Sequence, residues 1–252
     1  MDKGRKNLEE MLGAMETTEK WNKFVVAKNE IFTGKIDKEK AAKFADYVTK
    51  RFIDSCNDKT VFGSFQNWKT KTTEEKISVT EKILDAFIKN ITDDIINDKV
   101  VLHTRDGSEF HTDKPAIMKQ YKEDIISNIP KIIVKHRDIP GAMMGVAREK
   151  VLYINFDFTF YTIDTAEFFL MDLKHEFTHI IDMFIPAISH IDPDTLLDAQ
   201  MFYVNPTIGD RKLYDNNPLE LNANQNRKDL RIKIEQMLNA QSALLNDKSK
   251  TL

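Results

Sequence analysis

The stretch KHEFTHIID, Lys174 to Asp182, decides how the rest of this chain is read. His175 and His179 are four residues apart, so on a helix they share one face, one turn from each other. That spacing lets both imidazoles reach one ion at about 2.0–2.1 Å. Glu176 is rotated about a third of a turn from them, a poor position for a third ligand and a good one for a proton acceptor beside the ion. The arrangement suits hydrolysis: zinc polarises a carbonyl and acidifies water, and the carboxylate takes the proton. The competing reading is an ordinary helix with polar residues on one face. With six histidines in the chain, a chance His-Glu-x-x-His is expected about once in a hundred such sequences, which favours the metal.

The flanking sequence frames this segment as a helix. Asp164 to Glu167 reads as its N-terminal cap, and Pro186 stops it after about Phe184. Before it come short β-rich runs at 131–136, 143–147 and 151–158, with turns at Asp138–Gly141 and Arg148–Lys150. Further upstream, Lys99–Thr104 reads as a strand, Arg105–Ser108 as a turn, and Pro115–Asn128 as a helix with proline in its first turn. Residues 5–30, 37–56 and 73–97 carry apolar positions at helical spacing, and Thr72 with Glu75 forms a capping-box pattern before the third. Downstream, a short helix is expected near Asp194–Phe202 and a long one from Pro218 to about Leu245. The expectation is an α+β, mainly helical protein, with a helical region over 1–98 and the chemistry carried by 99–252.

Composition narrows the partners. Hydrophobic residues make up 41% and charged residues 31%, with a net charge of -3 and no long basic run. Nucleic acid is therefore not expected as a partner. Cys56 is the only cysteine, so any metal must be held by histidine and carboxylate, and no intramolecular disulfide can form. The N-terminal segment has no apolar signal core, and no run reaches membrane-spanning length. A cytoplasmic protein, or one exported without a signal peptide, is expected. Oligomeric state has no signature in the sequence.

A catalytic zinc of this type needs a third protein ligand. Asp182 follows on the same helix but lies about 10 Å of rise beyond His175, which suits a supporting role. The segment YDNNPLELNAN, Tyr214 to Asn224, offers Glu220 near a helix start, with Asn224 on the same face to orient a histidine. Spacing alone leaves Glu220 in competition with His190, Asp192, Asp194 and Asp198.

Together, HEFTH (175–179) and LELNAN (219–224) resemble the gluzincin branch of the HExxH zincin metallopeptidases. The second segment is similar to the Asn-Glu-x-x-Ser/Ala-Asp of thermolysin-like enzymes and the Glu-x-x-Ala-Asn of IrrE-type peptidases. The resemblance implies one zinc ion held by His175, His179 and Glu220, Glu176 as general base, and Asn224 supporting a ligand. It also implies a zincin-like core: a small mixed sheet with an edge strand, an active-site helix and a glutamate-bearing C-terminal helix. MMGVAREKVLYIN (143–155) resembles the strand pair before that helix, whose edge, about Gly141–Ala147, would take an extended peptide by strand addition. An oxyanion donor is expected in such sites, and Tyr214 is the first candidate, followed by Tyr203 and His190. His103, His111 and His136 have no motif around them.

The resemblance covers about residues 131–230, and the N-terminal helices match nothing in it. Leu219 stands where thermolysin-like enzymes have asparagine, and Asn224 where they have aspartate. The expected function is a zinc-dependent endopeptidase acting on a protein or peptide. The alternatives are a non-catalytic binding protein on the same scaffold, an exported effector or toxin that cleaves one host protein, or a hydrolase of non-peptide bonds.

Overall fold

A computed structural model describes residues 25–26, 28, 37–137, 144–147, 150–156, 166–201, 203 and 211–250. The chain is α+β and mainly helical. Helix α1 (Lys38–Cys56) starts at Asp37, whose carboxylate accepts hydrogen bonds from the backbone of Glu39 and Lys40. Helix α2 (Thr73–Ile96) starts at the anticipated capping box: Thr72 N donates to Glu75 Oε2 at 2.7 Å and Glu75 N to Thr72 Oγ1 at 3.2 Å. Of the predicted 5–30 helix, only residues 25, 26 and 28 are described, and they are helical.

The run at 99–104 is not a strand. It makes one isolated bridge, His103 with Glu109, around the Arg105–Ser108 turn. Its remaining backbone bonds go elsewhere: His103 N donates to Ala187 O at 2.7 Å. β-Branched residues alone do not make a strand when no neighbouring strand can pair with them. Helix α3 (Pro115–Ser127) follows as expected, with proline in its first turn.

Among the described residues, three short strands form one mixed sheet in the order β1-β3-β2. Strand β1 (Ile133–His136) runs parallel to β3 (Val151–Ile154), and β2 (Met144–Ala147) antiparallel to it. β2 is thus an edge strand, and β3, in the middle, has Leu152 and Ile154 fully buried. Lys150, just before β3, takes the left-handed conformation (φ 64°). The predicted turn at Asp138–Gly141, the start of the edge strand at Gly141–Met143, Arg148 and Glu149, the end of the third strand at 157–158, the cap at Asp164 and the helix end at Phe202 lie outside the described residues.

Helix α4 (Ala166–Phe184) carries HEFTH through the centre of the molecule. Phe177, inside the motif, is fully buried. Its ring meets Phe87 of α2 at 4.9 Å and Phe52 of α1 edge-on at 5.6 Å. The N-terminal helices thus belong to the same core as the histidine-bearing helix, and they fix its rotation. Pro186 opens a single 3-10 turn, Pro186–Ile188, that ends the helix.

Helices α5 (Pro193–Met201) and α6 (Arg211–Asp215) are short. The long helix expected from Pro218 is instead two, α7 (Pro218–Ala223) and α8 (Arg227–Lys250). The break is at Asn226, which adopts φ 58°. Asparagine tolerates that left-handed conformation, which a continuous helix does not contain. Gln241 of α8 closes the fold: its Nε2 donates to Cys56 O at 3.0 Å and Asn57 Oδ1 at 2.9 Å, and its Oε1 accepts from Gly63 N at 3.3 Å. Among the described residues, no helix is long and apolar enough to cross a membrane.

Candidate metal centre

α4 and α7 bring together the histidines and Glu220. His175 Nε2 and His179 Nε2 are 3.1 Å apart, their rings nearly perpendicular at 88°. Glu220 Oε2 lies 3.2 Å from His175 Nε2, and Glu220 Oε1 lies 3.2 Å from His179 Nε2. Among the described residues, this is the one group of three or more His, Cys, Asp or Glu side chains close enough to hold a metal ion.

The donor set fits zinc. Bonds of about 2.0–2.1 Å in a tetrahedron place ligand atoms about 3.3–3.4 Å apart, close to the spacing seen here. Glu220 is fully buried, yet its Oε2 has no hydrogen bond of acceptable geometry. A buried carboxylate facing two imidazole nitrogens is costly unless a cation or proton lies between them. Two imidazoles and one carboxylate form a donor set used by catalytic zinc.

The short α7 is built to present Glu220. Asn217 caps it, its side chain accepting from Leu219 N at 3.0 Å, and Asn217 Nδ2 donates to Ala199 O of α5 at 3.0 Å. At the other end, buried Lys174 of α4 donates to Ala223 O at 3.4 Å. Tyr203 Oη donates to Glu220 Oε1 at 2.8 Å. The rings of Tyr203 and Tyr214 meet edge-on at 5.6 Å. Burial, and then the Glu220 charge, push both phenols up, so each stays a hydrogen-bond donor at neutral pH.

Charge in the cluster follows from burial and pairing. Burial pulls His179 down, but Glu220 more than offsets this and its pKa is raised to about 9. Burial acts to raise Glu220, but His179 and His175 hold it well below the usual carboxylate range. Glu176, buried beside the cluster, is pushed up by burial and drawn back in part by the two histidines.

The remaining predicted residues take other positions. Asp182 does not join the cluster; its Oδ1 accepts from Ser189 Oγ at 2.8 Å and its Oδ2 from Asn222 Nδ2 at 2.9 Å. Asn224 sits at the C-terminal end of α7, where its Oδ1 accepts from Arg227 at 3.2 Å, and Arg227 pairs with Asp172 at 2.8 Å. Asn224 N still donates to Glu220 O at 2.9 Å, but the α7 asparagine whose side chain reaches α4 is Asn222, through Asp182. His190 faces Asn222 at 2.8 Å. Asp192 caps α5 by accepting from Thr195 N at 2.8 Å, and Asp194 lies 3.9 Å from Arg105. Sequence reasoning missed Asn222 and Ser189.

Comparison with protein-family models, with curated proteins and with solved structures found no match to this chain.

Proposed function

We propose that this protein is a zinc-dependent metallopeptidase that hydrolyses peptide bonds in a protein or peptide substrate. The observation that carries this reading is the convergence of His175 Nε2, His179 Nε2 and a hydrogen-bond-deficient oxygen of buried Glu220, with Glu176 beside them. Zinc held there would supply Lewis acidity toward a carbonyl and acidify water near neutral pH. Glu176 would take a proton at its carboxylate and deliver it to the leaving nitrogen, and its raised pKa suits that exchange. Tyr214 would donate its phenolic proton toward the developing oxyanion, while Tyr203 holds Glu220 in place. The edge strand β2 offers backbone groups on which an extended substrate could pair.

The test is a matched pair of variants assayed on a dye-labelled denatured protein. Glu176→Gln should bind zinc as the wild type does and lose about 10²–10⁴-fold in hydrolysis. Full activity in that variant would remove Glu176 as the base. Zinc-loaded wild type that cleaves none of a broad peptide panel would favour a binding protein on the same scaffold.

A further inference from the structure

Helix α7 has six residues, and one contact through Glu220 would set its distance from α4 but not its rotation. Beside the Lys174 bond to Ala223 O at the end of α7, a further contact is a buried polar relay. Asn222 leaves α7 about 200° around the helix from Glu220, and its amide bridges two elements. Nδ2 donates to Asp182 Oδ2 at 2.9 Å, and Oδ1 faces His190 Nε2 at 2.8 Å. Asp182 lies on α4, three residues beyond His179, and its other oxygen accepts from Ser189 Oγ at 2.8 Å. Asp182, Ser189 and Asn222 are each at most 2% exposed.

The chemistry of the relay fixes its direction. An ionised carboxylate only accepts, so Asn222 must turn its NH₂ to Asp182 and its carbonyl to His190. His190 must then carry its proton on Nε2 and donate it. Each group has one role, and the amide has one orientation. A relay of this kind is directional, as a hydrophobic contact is not.

We propose that Asn222 is the positioning residue of the metal centre: by bridging Asp182 and His190 it sets the rotation at which α7 presents Glu220 to His175 and His179. The proposal rests on the reading of those three side chains as a metal site. Groups that orient a ligand typically change metal affinity about 10–100-fold when lost. Here the orientation acts through a helix rather than through a direct hydrogen bond to a ligand.

The test is a double-variant cycle with zinc affinity, measured by chelator competition on the full chain, as its readout. Asn222→Asp sets two carboxylates against each other and should weaken zinc binding about 10–100-fold. Asp182→Asn leaves two amides that can still pair after rotating, and should weaken it less. The swap Asp182→Asn with Asn222→Asp restores the pattern. Asn at 182 accepts from Ser189 and donates to Asp at 222, which accepts from His190. Its zinc affinity should return to within about threefold of wild type.

Cobalt absorption in the visible range, read on the same proteins, separates positioning from general stability. The single variants should shift the cobalt bands and the swap should restore them. Asn222→Leu and Ser189→Ala provide further variants if Asn222→Asp does not fold. Unchanged zinc affinity and cobalt bands in the folded variants would overturn the proposal and leave the metal site standing. Wild type that binds no zinc, like the His175→Ala control, would remove the metal site and this proposal with it.

Discussion

Asp94 and Glu220 are both buried carboxylates on helices, and they are compensated in different ways. Asp94 of α2 is 2% exposed and meets a permanent cation: Arg51 of α1 grips both its oxygens and Tyr47 donates to Oδ2 at 3.0 Å. Glu220 of α7 is fully buried and meets two imidazoles and a phenol. An arginine keeps its charge at any pH a protein experiences, whereas an imidazole can carry a proton or give its lone pair to a metal. The first arrangement is closed and structural. The second brings together groups that could hold a metal ion.

That contrast can be tested, and the largest effect should come from the metal side. Glu220→Gln should abolish stoichiometric zinc binding, as measured by mass spectrometry of the purified chain. Chelator should lower the melting temperature of the wild type and leave that of Glu220→Gln unchanged. A ligand at about 1,000 times its Kd contributes about 4 kcal/mol, so the shift should be several degrees. Equal melting temperatures with and without chelator would mean that the two carboxylates do not differ as argued.

On the structural side, Arg51→Met leaves the Asp94 charge buried without its partner and should cost about 3–5 kcal/mol in urea unfolding. The pair Arg51→Met with Asp94→Leu should recover most of that loss. Phe177→Ala should be comparable, about 3–5 kcal/mol, because it empties the space between Phe52 and Phe87.

Lys174 gives a smaller, pH-dependent effect. Burial lowers its pKa to about 8, opposed in part by Asp182. The folded state favours the neutral amine, so the lysine's contribution to stability is fully present above the unfolded value, near 10.5. It is lost as pH falls through about 8. Lys174→Met should therefore stabilise the fold by about 1–3 kcal/mol at pH 7, and the advantage should shrink between pH 8 and 10.5. A gain independent of pH would point to packing instead. The smallest effect should be Thr72→Ala, which removes one half of the α2 capping box and should cost about 1 kcal/mol.

What was legible in the sequence was the local chemistry. The capping box at Thr72 and Glu75, the helix through HEFTH and its stop at Pro186 follow from side-chain patterns within one segment. Glu220 was legible because a helix start places it, although spacing alone could not separate it from four competitors. Tertiary contacts decided the rest. The run at 99–104 has strand residues but no strand beside it. The 218–245 helix breaks at Asn226, and the Asn224-Gln225-Asn226 run was the sign of it. Asn222 had no local signal, because its partners Asp182 and His190 lie on other segments. The parallel pairing of β1 with β3 depends on contacts between segments about fifteen residues apart, which no local pattern encodes.

The closing contact of Gln241 has a consequence for synthesis. Its hydrogen bond to Cys56 O spans 185 residues, so the core around α1 is not closed until α8 has been made. Contacts of such long range form late. A nascent chain that already carries HEFTH and Glu220 still lacks the helix that closes the core around them.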